Sequence, residues 1–368
     1  MIFGCILSNV PNYNILVMIV YLCECIMNNS NVYILGIESS CDETAASISK
    51  DGVILSNVVH TQIVHAQYGG VVPELASRAH QQQIIPVVEA AIQEAKISKS
   101  TLSAIAFTRG PGLIGSLLVG TSFAKAMALS LHIPLIEVNH MQAHIIANFA
   151  HAEGEELQKP NFPFLCLTVS GGHTQLVQVD GFLEMKILGQ TIDDAAGEAF
   201  DKVAKMLGLE YPGGPMLDKW AKNGNPKAYK FPHPHAPELN FSFSGLKTAV
   251  LYFLQKEKQK DPNFPGEKMA DVCASVQFTI VSILMEKLQA AILQTGITEI
   301  ALAGGVSANS SLRETLLALG VQNNWKIHIP SIEYCTDNAG MIAVYGYYKY
   351  LDNDFCGQEI TPLARFPF

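Results

Sequence analysis

The chain has 368 residues, of which 49% are hydrophobic and 15% are charged, and its formal net charge is −9. This composition excludes a disordered or fibrous chain and favours an α/β protein of two domains with buried parallel strands. The 24 basic and 33 acidic residues form no run of like charge, so a nucleic acid would have to bind through a local basic patch or with a partner.

The cysteines and the N-terminus bear on localisation. Eight cysteines are scattered along the chain without a CxxC pair, which is typical of reduced thiols in a cytosolic protein. The first 26 residues are apolar, contain no Lys or Arg, and are interrupted by Pro11, Asn12 and Asn14. A signal peptide would need a basic start, and a membrane span about 20 uninterrupted apolar residues. We expect either a weak membrane-associating tail or translated upstream sequence, and we favour a start at Met27.

Beyond Val32 the chain alternates strands and helices, which indicates an α/β fold. The pattern predicts, in chain order, two strands within 32–59, a helix over 74–96, a strand at 103–108, a glycine-rich turn at 108–115, a helix over 116–131, a strand at 134–138 and a helix over the stretch VNHMQAHIIANF.

A second half repeats this design. The polar, proline-bearing segment 151–163 predicts a boundary. After it, residues 164–179 again form an apolar strand, a tight Ser/Gly turn and a second strand, and EIALAGGVSAN runs from a strand through glycines to a helix from about Ser311. Two such halves predict a duplicated architecture with a ligand-binding cleft between them.

The stretch VNHMQAH carries two histidines four positions apart. On a helix, His140 and His144 project from one face about 6 Å apart and can chelate one ion, although two ordinary helix histidines remain the alternative. A zinc protease of the HExxH type needs Glu beside the first histidine as its general base. Met141 occupies that position, so the protease interpretation loses its catalyst.

Two histidines leave an ion under-coordinated, and Asp337 in SIEYCTDNAGM is the candidate third ligand. This segment is predicted to end a strand and to cap a helix that begins near Asn338, and Asp337 could be no more than that cap. Two histidines and one carboxylate with open positions would suit Fe²⁺, with Zn²⁺ as the alternative.

Three glycine-bearing turns and several carboxylates point to a nucleotide. TVSGGHT, at 168–174, can turn backbone N–H groups towards phosphate or carboxylate oxygens, although a plain hairpin turn is the alternative. RGPGLIGS precedes a helix, and AGGVSAN ends on Asn309, which could pair with a base edge. Asp201 and Asp218 flank a Gly-Gly pair and could accept ribose hydroxyls, or could be solvated helix charges.

Taken together, these motifs resemble one family. The set is ILGIESSCDETAAS, RGPGLIGSLLVG, NHMQAH, TVSGGHTQL, IDDAAGEAFDKVAK, YPGGP, FSFSGLKT, AGGVSAN and YCTDNAGMIA. It closely resembles the bacterial tRNA adenosine threonylcarbamoyltransferase (TsaD) family, whose members were once labelled O-sialoglycoprotein endopeptidases, from about residue 33 to the C-terminus.

The resemblance implies an actin-like, two-lobed α/β fold of the sugar-kinase superfamily, with duplicated ribonuclease H-like domains around a central cleft. It places lobe 1 at 27–158, completed by a C-terminal helix within 338–368, and lobe 2 at 159–337. It also implies transfer of a threonylcarbamoyl group from threonylcarbamoyl-AMP to N6 of the adenosine 3′ to the anticodon, in tRNAs that read codons beginning with A.

Residue by residue, the resemblance implies three groups of site residues. The metal ligands match His140, His144 and Asp337. Asp42 and Glu43, in the first hairpin turn, match acidic positions that take part in catalysis. The nucleotide-side contacts match Thr168, Val169, Ser170, Gly171, Gly172, Asp201, Gly214, Asp218 and Asn309.

The sequence departs from the common family pattern at Gln142, where Glu is frequent, and in its first 26 residues, which have no counterpart. The family implies a TsaB-like paralogue and a TsaE-like ATPase as partners, a cytoplasmic location and no membrane contact.

Two other classes of function stay open. An ATPase or kinase on the same fold would explain the glycine turns, and a non-catalytic nucleotide-binding scaffold would not require the histidine pair.

Overall fold

The structure is a computed structural model that describes residues 31–155 and 158–368. Residues from Tyr33 to Phe368 form one compact unit by their contacts, so the proposed lobe boundaries at residues 158 and 337 stay a prediction. The expectations for residues 1–26 and for a start at Met27 lie outside the described residues.

The first sheet has five strands in the order β3-β2-β1-β4-β5. The first three strands are antiparallel neighbours, whereas β4 and β5 run parallel to β1. The strands are β1 Tyr33–Glu38, β2 Glu43–Lys50, β3 Val53–Thr61, β4 Ala104–Gly110 and β5 Leu135–Asn139.

The second sheet repeats this arrangement in the order β10-β9-β6-β7-β8. Its central strand again pairs antiparallel with the next strand in the chain and parallel with a later one. The strands are β6 Phe164–Val169, β7 Thr174–Val179, β8 Met185–Gln190, β9 Glu299–Ala303 and β10 Lys326–His328. The predicted duplication is therefore confirmed, and each half has the strand order expected of a ribonuclease H-like domain.

Ten α-helices connect and cover the sheets within the described residues. They are α1 Pro73–Glu94, α2 Ile114–Leu131, α3 His140–Ile146, α4 Ala196–Met206, α5 Gly213–Ala221, α6 Ser244–Lys260, α7 Met269–Thr295, α8 Ser310–Asn323, α9 Ile332–Cys335 and α10 Ala339–Leu351. Because both faces of the central strands are covered, their sequences are continuous apolar runs, and all six residues of β6 are buried.

Helix α10 packs on the first sheet, against β1 and β2. The contact is close because Gly36 has no side chain: a Cβ there would lie 2.5 Å from the carbonyl oxygen of Ala339 and 2.6 Å from the backbone nitrogen of Ala343. This packing fixes the start of α10, two residues after Asp337. Helix α10, the last helix of the chain, thus packs on the first sheet, which contains the first strands of the chain.

Two described helices are long and apolar enough to cross a membrane by length and composition alone. They span Ile114–Leu131 and Gly266–Thr295, and 33% and 61% of their most apolar windows are buried inside the protein. Core helices of soluble proteins pass the same test, so this is weak evidence for a membrane.

The Gly36 contact predicts a stability effect. In Gly36→Ala, the added methyl would meet backbone atoms that cannot rotate away, so we expect the free energy of unfolding to fall by roughly 1–3 kcal/mol, as for other overpacked sites. Urea denaturation followed by circular dichroism measures this change. Gly305→Ala is the control, because a Cβ at Gly305 meets nothing within 4 Å. Equal stability of the two variants would contradict the prediction.

Candidate metal and nucleotide site

The candidate site lies where parallel strands end. Glu38 ends β1, His140 follows β5, Ser170 follows β6 and Gly304 follows β9. In α/β sheets, ligands bind outside the carboxyl ends of the strands, since loops from neighbouring strands meet there. The duplicated sheets thus bring together residues that are far apart in the sequence.

The histidine pair lies on α3, which is short and begins at the first histidine. Asn139 caps this helix, because its side-chain oxygen accepts hydrogen bonds from the backbone N–H groups of Met141 and Gln142. His140 and His144 are both buried, one turn apart, with ring centroids 4.6 Å apart. The helix therefore presents two imidazoles from one buried face, as their spacing predicts.

Asp337 completes a triangle with the two histidines. The Nε2 atoms of His140 and His144 are 3.2 Å apart, and Asp337 Oδ1 lies 3.5 Å from the first and 3.1 Å from the second. Metal ligands about 2.0–2.2 Å from one ion are separated by roughly 3 Å, so these three atoms fit a single divalent ion. Among the described residues, they form the only cluster of three such side chains.

One detail of the Asp337 segment differs from the prediction. Asp337 follows the short helix α9 rather than a strand, and the side chain that caps α10 is that of Asn338, which accepts from Met341 N–H. The segment therefore caps α10 as predicted, but through Asn338, and the alternative in which Asp337 is only that cap is wrong. Its carboxylate is free of the helix terminus and points to the histidines instead.

Glu38 contacts the ring of His140, and this role was not predicted from the sequence. Its Oε2 lies 3.1 Å from His140 Nδ1, which leaves the Nε2 atom of that ring for the ion. Glu38 is fully buried and also accepts hydrogen bonds from the Ser40 backbone N–H and from the Thr108 hydroxyl. A lone acid at the end of the apolar strand YILGIE was the available signal, because buried acids need partners.

The charges of this cluster favour a cation at its centre. Burial alone would lower the pKa of His140, but the carboxylates of Asp337 and Glu38 outweigh it and raise that pKa well above its usual value. Burial would likewise raise the pKa of Asp337, yet the two histidines hold it well below its usual range. The two carboxylates therefore stabilise positive charge here, as a metal centre requires.

The cluster opens into a cavity of about 960 Å³. The cavity is large enough for a nucleotide, since ligand pockets usually have volumes of about 300–1,000 Å³. Most of the residues predicted for the site line it, namely Asp42, Glu43, His140, Ser170, Gly171, Gly172, Asp201, Gly214, Asp218, Asn309 and Asp337. Thr168 and Val169 are instead fully buried strand residues that do not line the cavity.

The Ser/Gly turn joins β6 to β7 and faces this cavity. Ser170 closes the turn, because its N–H donates to the carbonyl of His173 over 2.8 Å. Within the described residues, the N–H groups of Gly171 and Gly172 have no acceptor, and a Cβ at either position would meet open space. Two free N–H groups beside an open cavity can bind an anionic oxygen.

The predicted nucleotide contacts of the second half are already partly engaged. Asp201 Oδ1 accepts from Gly214 N–H over 2.9 Å, and burial raises the pKa of Asp201. Asp218 Oδ1 accepts from the Ser310 hydroxyl over 2.7 Å. Asn309 caps α8 with its side-chain oxygen and donates its amide N–H to Gln277. A ligand would meet the remaining lone pairs of Asp201 and Asp218, whereas both ends of the Asn309 amide are in use.

Asp42 and Glu43 line the cavity where β2 begins. Burial raises the pKa of Glu43 to about 9, and the nearby carboxylates of Asp337 and Asp42 act in the same direction. Glu43 is therefore protonated at neutral pH in the metal-free protein. It can donate a hydrogen bond but cannot accept a proton.

The turn RGPG, predicted to be one of the anion-binding turns, also lines the cavity, but its N–H groups are in use within the protein. Gly112 N–H donates to the carbonyl of Ala364, and Leu113 N–H donates to that of Ser40. The C-terminal segment 363–368 thus lies along this turn and lines the cavity through its last five residues.

Comparison with known proteins identifies the family. The family model of TsaD, described as tRNA N6-adenosine threonylcarbamoyltransferase, matches residues 53–344. A protein of that name from Christiangramia forsetii is 58% identical over 93% of this chain and 100% of its own length. Another, from Cytophaga hutchinsonii, is 57% identical over 91% of this chain and 96% of its own.

Solved structures agree on the fold. Full-length HypF in the phosphate- and nucleotide-bound form matches with a TM-score of 0.56 and 15% identity, covering 86% of this chain and 46% of that one. HypF of T. kodakarensis matches with a TM-score of 0.55 and 17% identity, covering 88% of this chain and 48% of that one. At these identities the likeness shows the fold alone.

Fold and family together define the class: the protein is a tRNA-modifying transferase built on a duplicated α/β fold. The chain belongs to the TsaD family of tRNA N6-adenosine threonylcarbamoyltransferases. The fold and the family expected from the motifs are thereby confirmed.

Glu43 gives a pH-dependent prediction for the metal-free protein. Its pKa is about 9 in the folded state against an ordinary value of 4.5, so between these values the folded state binds the extra proton. The free energy of unfolding should therefore fall as pH rises from about 5 to 9, and less steeply in Glu43→Gln. Urea denaturation across this range, with exposed Glu74→Gln as control, measures both slopes. An unchanged slope in Glu43→Gln would contradict the assignment.

Proposed function

We propose that this chain transfers the threonylcarbamoyl group of threonylcarbamoyl-AMP to N6 of the adenosine 3′ to the anticodon, in tRNAs that read codons beginning with A. The product is N6-threonylcarbamoyladenosine. The observation that carries the proposal is that His140 and Asp337 line the same cavity of nucleotide size as the Ser/Gly turn with its free N–H groups, while His144, the third member of the triangle, is fully buried.

We further propose that the triangle holds one divalent ion, with Fe²⁺ favoured and Zn²⁺ as the alternative. Two imidazoles and one carboxylate leave coordination positions open, and this donor set with open positions is typical of non-haem Fe²⁺. When bound, the ion supplies positive charge that can hold and polarise a substrate oxygen.

The remaining groups of the cavity would orient the donor. The N–H groups of Gly171 and Gly172 would bind its phosphate oxygens, because no side chain blocks their approach. Asp201 and Asp218 would accept hydrogen bonds from the ribose hydroxyls through the lone pairs that Gly214 and Ser310 leave free. These contacts would keep the carbamoyl carbon facing the incoming amine.

The transfer itself is a substitution at the carbamoyl carbon. The N6 amine forms a C–N bond to this carbon, the bond between the carbon and the phosphate oxygen breaks, and AMP leaves with the electron pair. The amine loses one proton to water. Positioning and electrostatic stabilisation therefore provide most of the rate enhancement.

The family resemblance implies the partners, and the charge of the chain gives them a role. A net charge of −9 repels the RNA backbone, so we propose that a TsaB-like paralogue and a TsaE-like ATPase complete the tRNA-binding surface. We place this assembly in the cytoplasm and away from membranes, where its tRNA substrate and reduced cysteines belong. Tight binding of tRNA by the isolated chain at physiological salt would contradict this arrangement.

The metal ligands give the next prediction. His140→Ala should bind less than a tenth of the wild-type metal and should form product at least about 100-fold more slowly, since a lost ligand costs more than a lost supporting residue. Metal analysis and nucleoside mass spectrometry measure the two effects. Gln142→Glu is the matched control. This residue lies on α3 between the histidines, but its side chain accepts a hydrogen bond from Tyr345 and does not belong to the triangle. Full modification of tRNA by metal-free His140→Ala would refute the mechanism.

A single incubation separates the candidate functions. The protein, with and without its partners, receives synthetic threonylcarbamoyl-AMP and a tRNA that reads codons beginning with A, and the modified nucleoside and released AMP are measured. We expect both products in equal amounts. Steady hydrolysis of ATP without tRNA or the adenylate would favour the ATPase or kinase alternative, and no turnover of either kind would favour the scaffold.

A further inference from the structure

A second cavity, of about 670 Å³, lies beside the first and shares a wall with it. Five residues line both cavities: Gly172, His173, Gln175, Gln190 and Arg365. The wall therefore joins the Ser/Gly turn, the strands β7 and β8, and the C-terminal segment. Nothing in the mechanism above uses Gln175, Gln190 or Arg365.

Arg365 is the only Arg or Lys among the residues that line either cavity. Its side chain is exposed and makes no ion pair or hydrogen bond within the described part of the chain. The backbone on both sides of it is anchored: Leu363 N–H donates to Arg109 over 2.9 Å, and Asn139 donates to the carbonyl of Pro367 over 3.0 Å. A permanent positive charge is thus held in place without a protein partner.

Gln175 supplies a second, independent indication of a ligand. Its side chain is only 7% exposed, and its Oε1 atom has no hydrogen-bond donor within the described residues. A buried carboxamide oxygen without a donor is destabilising, and native proteins seldom keep one without a reason. Gln175 lines both cavities, so a ligand that offers an N–H or O–H group at this wall would satisfy this oxygen once the side chain rotates it into the cavity.

We infer that this wall binds the nucleotide of the RNA substrate that accepts the transferred group. Arg365 pairs with a backbone phosphate of that nucleotide, and Gln175 accepts a hydrogen bond from an N–H or O–H group of the same nucleotide. The inference rests on the proposed function, because transfer to a base needs two nucleotides in place at once.

The geometry favours the RNA over the donor as the source of the phosphate. The donor already has the free N–H groups of the Ser/Gly turn and the metal triangle inside the first cavity, which is large enough for one nucleotide. An enzyme that modifies a base takes the base out of its stack while the backbone stays outside. Arg365 is exposed at the boundary of the two cavities, where such a backbone would pass.

The test compares Arg365→Gln, Gln175→Met and Lys326→Gln in the complete assembly. Lys326 is the control because it lies on β10, at the opposite edge of the second sheet from β8. For Arg365→Gln we expect KM for tRNA to rise about tenfold, with a salt slope of binding smaller by about 1 and an unchanged KM for threonylcarbamoyl-AMP. Metal content should also stay unchanged.

Gln175→Met separates a functional role from a structural one. Replacing an unpaired buried carboxamide by an apolar side chain of similar shape should leave the urea midpoint unchanged or higher. The same variant should lower kcat/KM for tRNA about tenfold, as the loss of a contact to the accepting nucleotide predicts. Lower stability together with unchanged kcat/KM would assign Gln175 to the core and overturn its role.

Two further outcomes would overturn the inference. A raised KM for threonylcarbamoyl-AMP with unchanged KM for tRNA in Arg365→Gln would assign the phosphate to the donor. Wild-type kinetics in Arg365→Gln would show that the wall binds neither the tRNA nor threonylcarbamoyl-AMP. If the wild-type protein itself formed no modified nucleoside, the proposed function would fail instead, so the two failures are distinguishable.

Discussion

The site depends on the convergence of His140, His144 and Asp337, although His144 and Asp337 are 193 positions apart in the sequence. Three donor atoms within hydrogen-bond distance of one another are costly to bury unless a cation or a proton lies among them. Glu38 adds a fourth buried polar group behind His140. The fold must therefore hold two elements together rigidly, α3 on one side and the segment before α10 on the other.

Close backbone packing provides this rigidity. Helix α10 lies directly on β1 because Gly36 and Gly346 have no side chains, and a Cβ at Gly346 would lie 2.4 Å from that of Ala106 on β4. On the other half, Gly304 adopts a φ of +82° and lies against the carbonyl of Val169, so AGGVSAN can turn sharply behind the Ser/Gly turn. Glycines thus set the distances between the elements that carry the polar groups.

The sequence predicted the duplicated sheets and the histidine pair, since both follow from local periodicity and spacing. Asp337 was the candidate third ligand, but the local pattern could not separate that role from a helix cap, and only the structure shows that Asn338 caps α10. Two further contacts could not be predicted for a related reason: that of Glu38 with His140, and the hydrogen bond of the RGPG turn to the C-terminal segment. Both depend on contacts between residues far apart in sequence, which no local pattern records.

The charge balance of the cavity explains why the ion and Arg365 matter together. Five carboxylates line the cavity, those of Asp42, Glu43, Asp201, Asp218 and Asp337, against the single permanent cation of Arg365. An anionic donor and an anionic RNA must both approach these acids, and each approach costs free energy unless positive charge compensates it. The divalent ion proposed for the triangle would supply two positive charges. A cavity that repels RNA when the ion is absent would therefore couple metal loading to substrate binding.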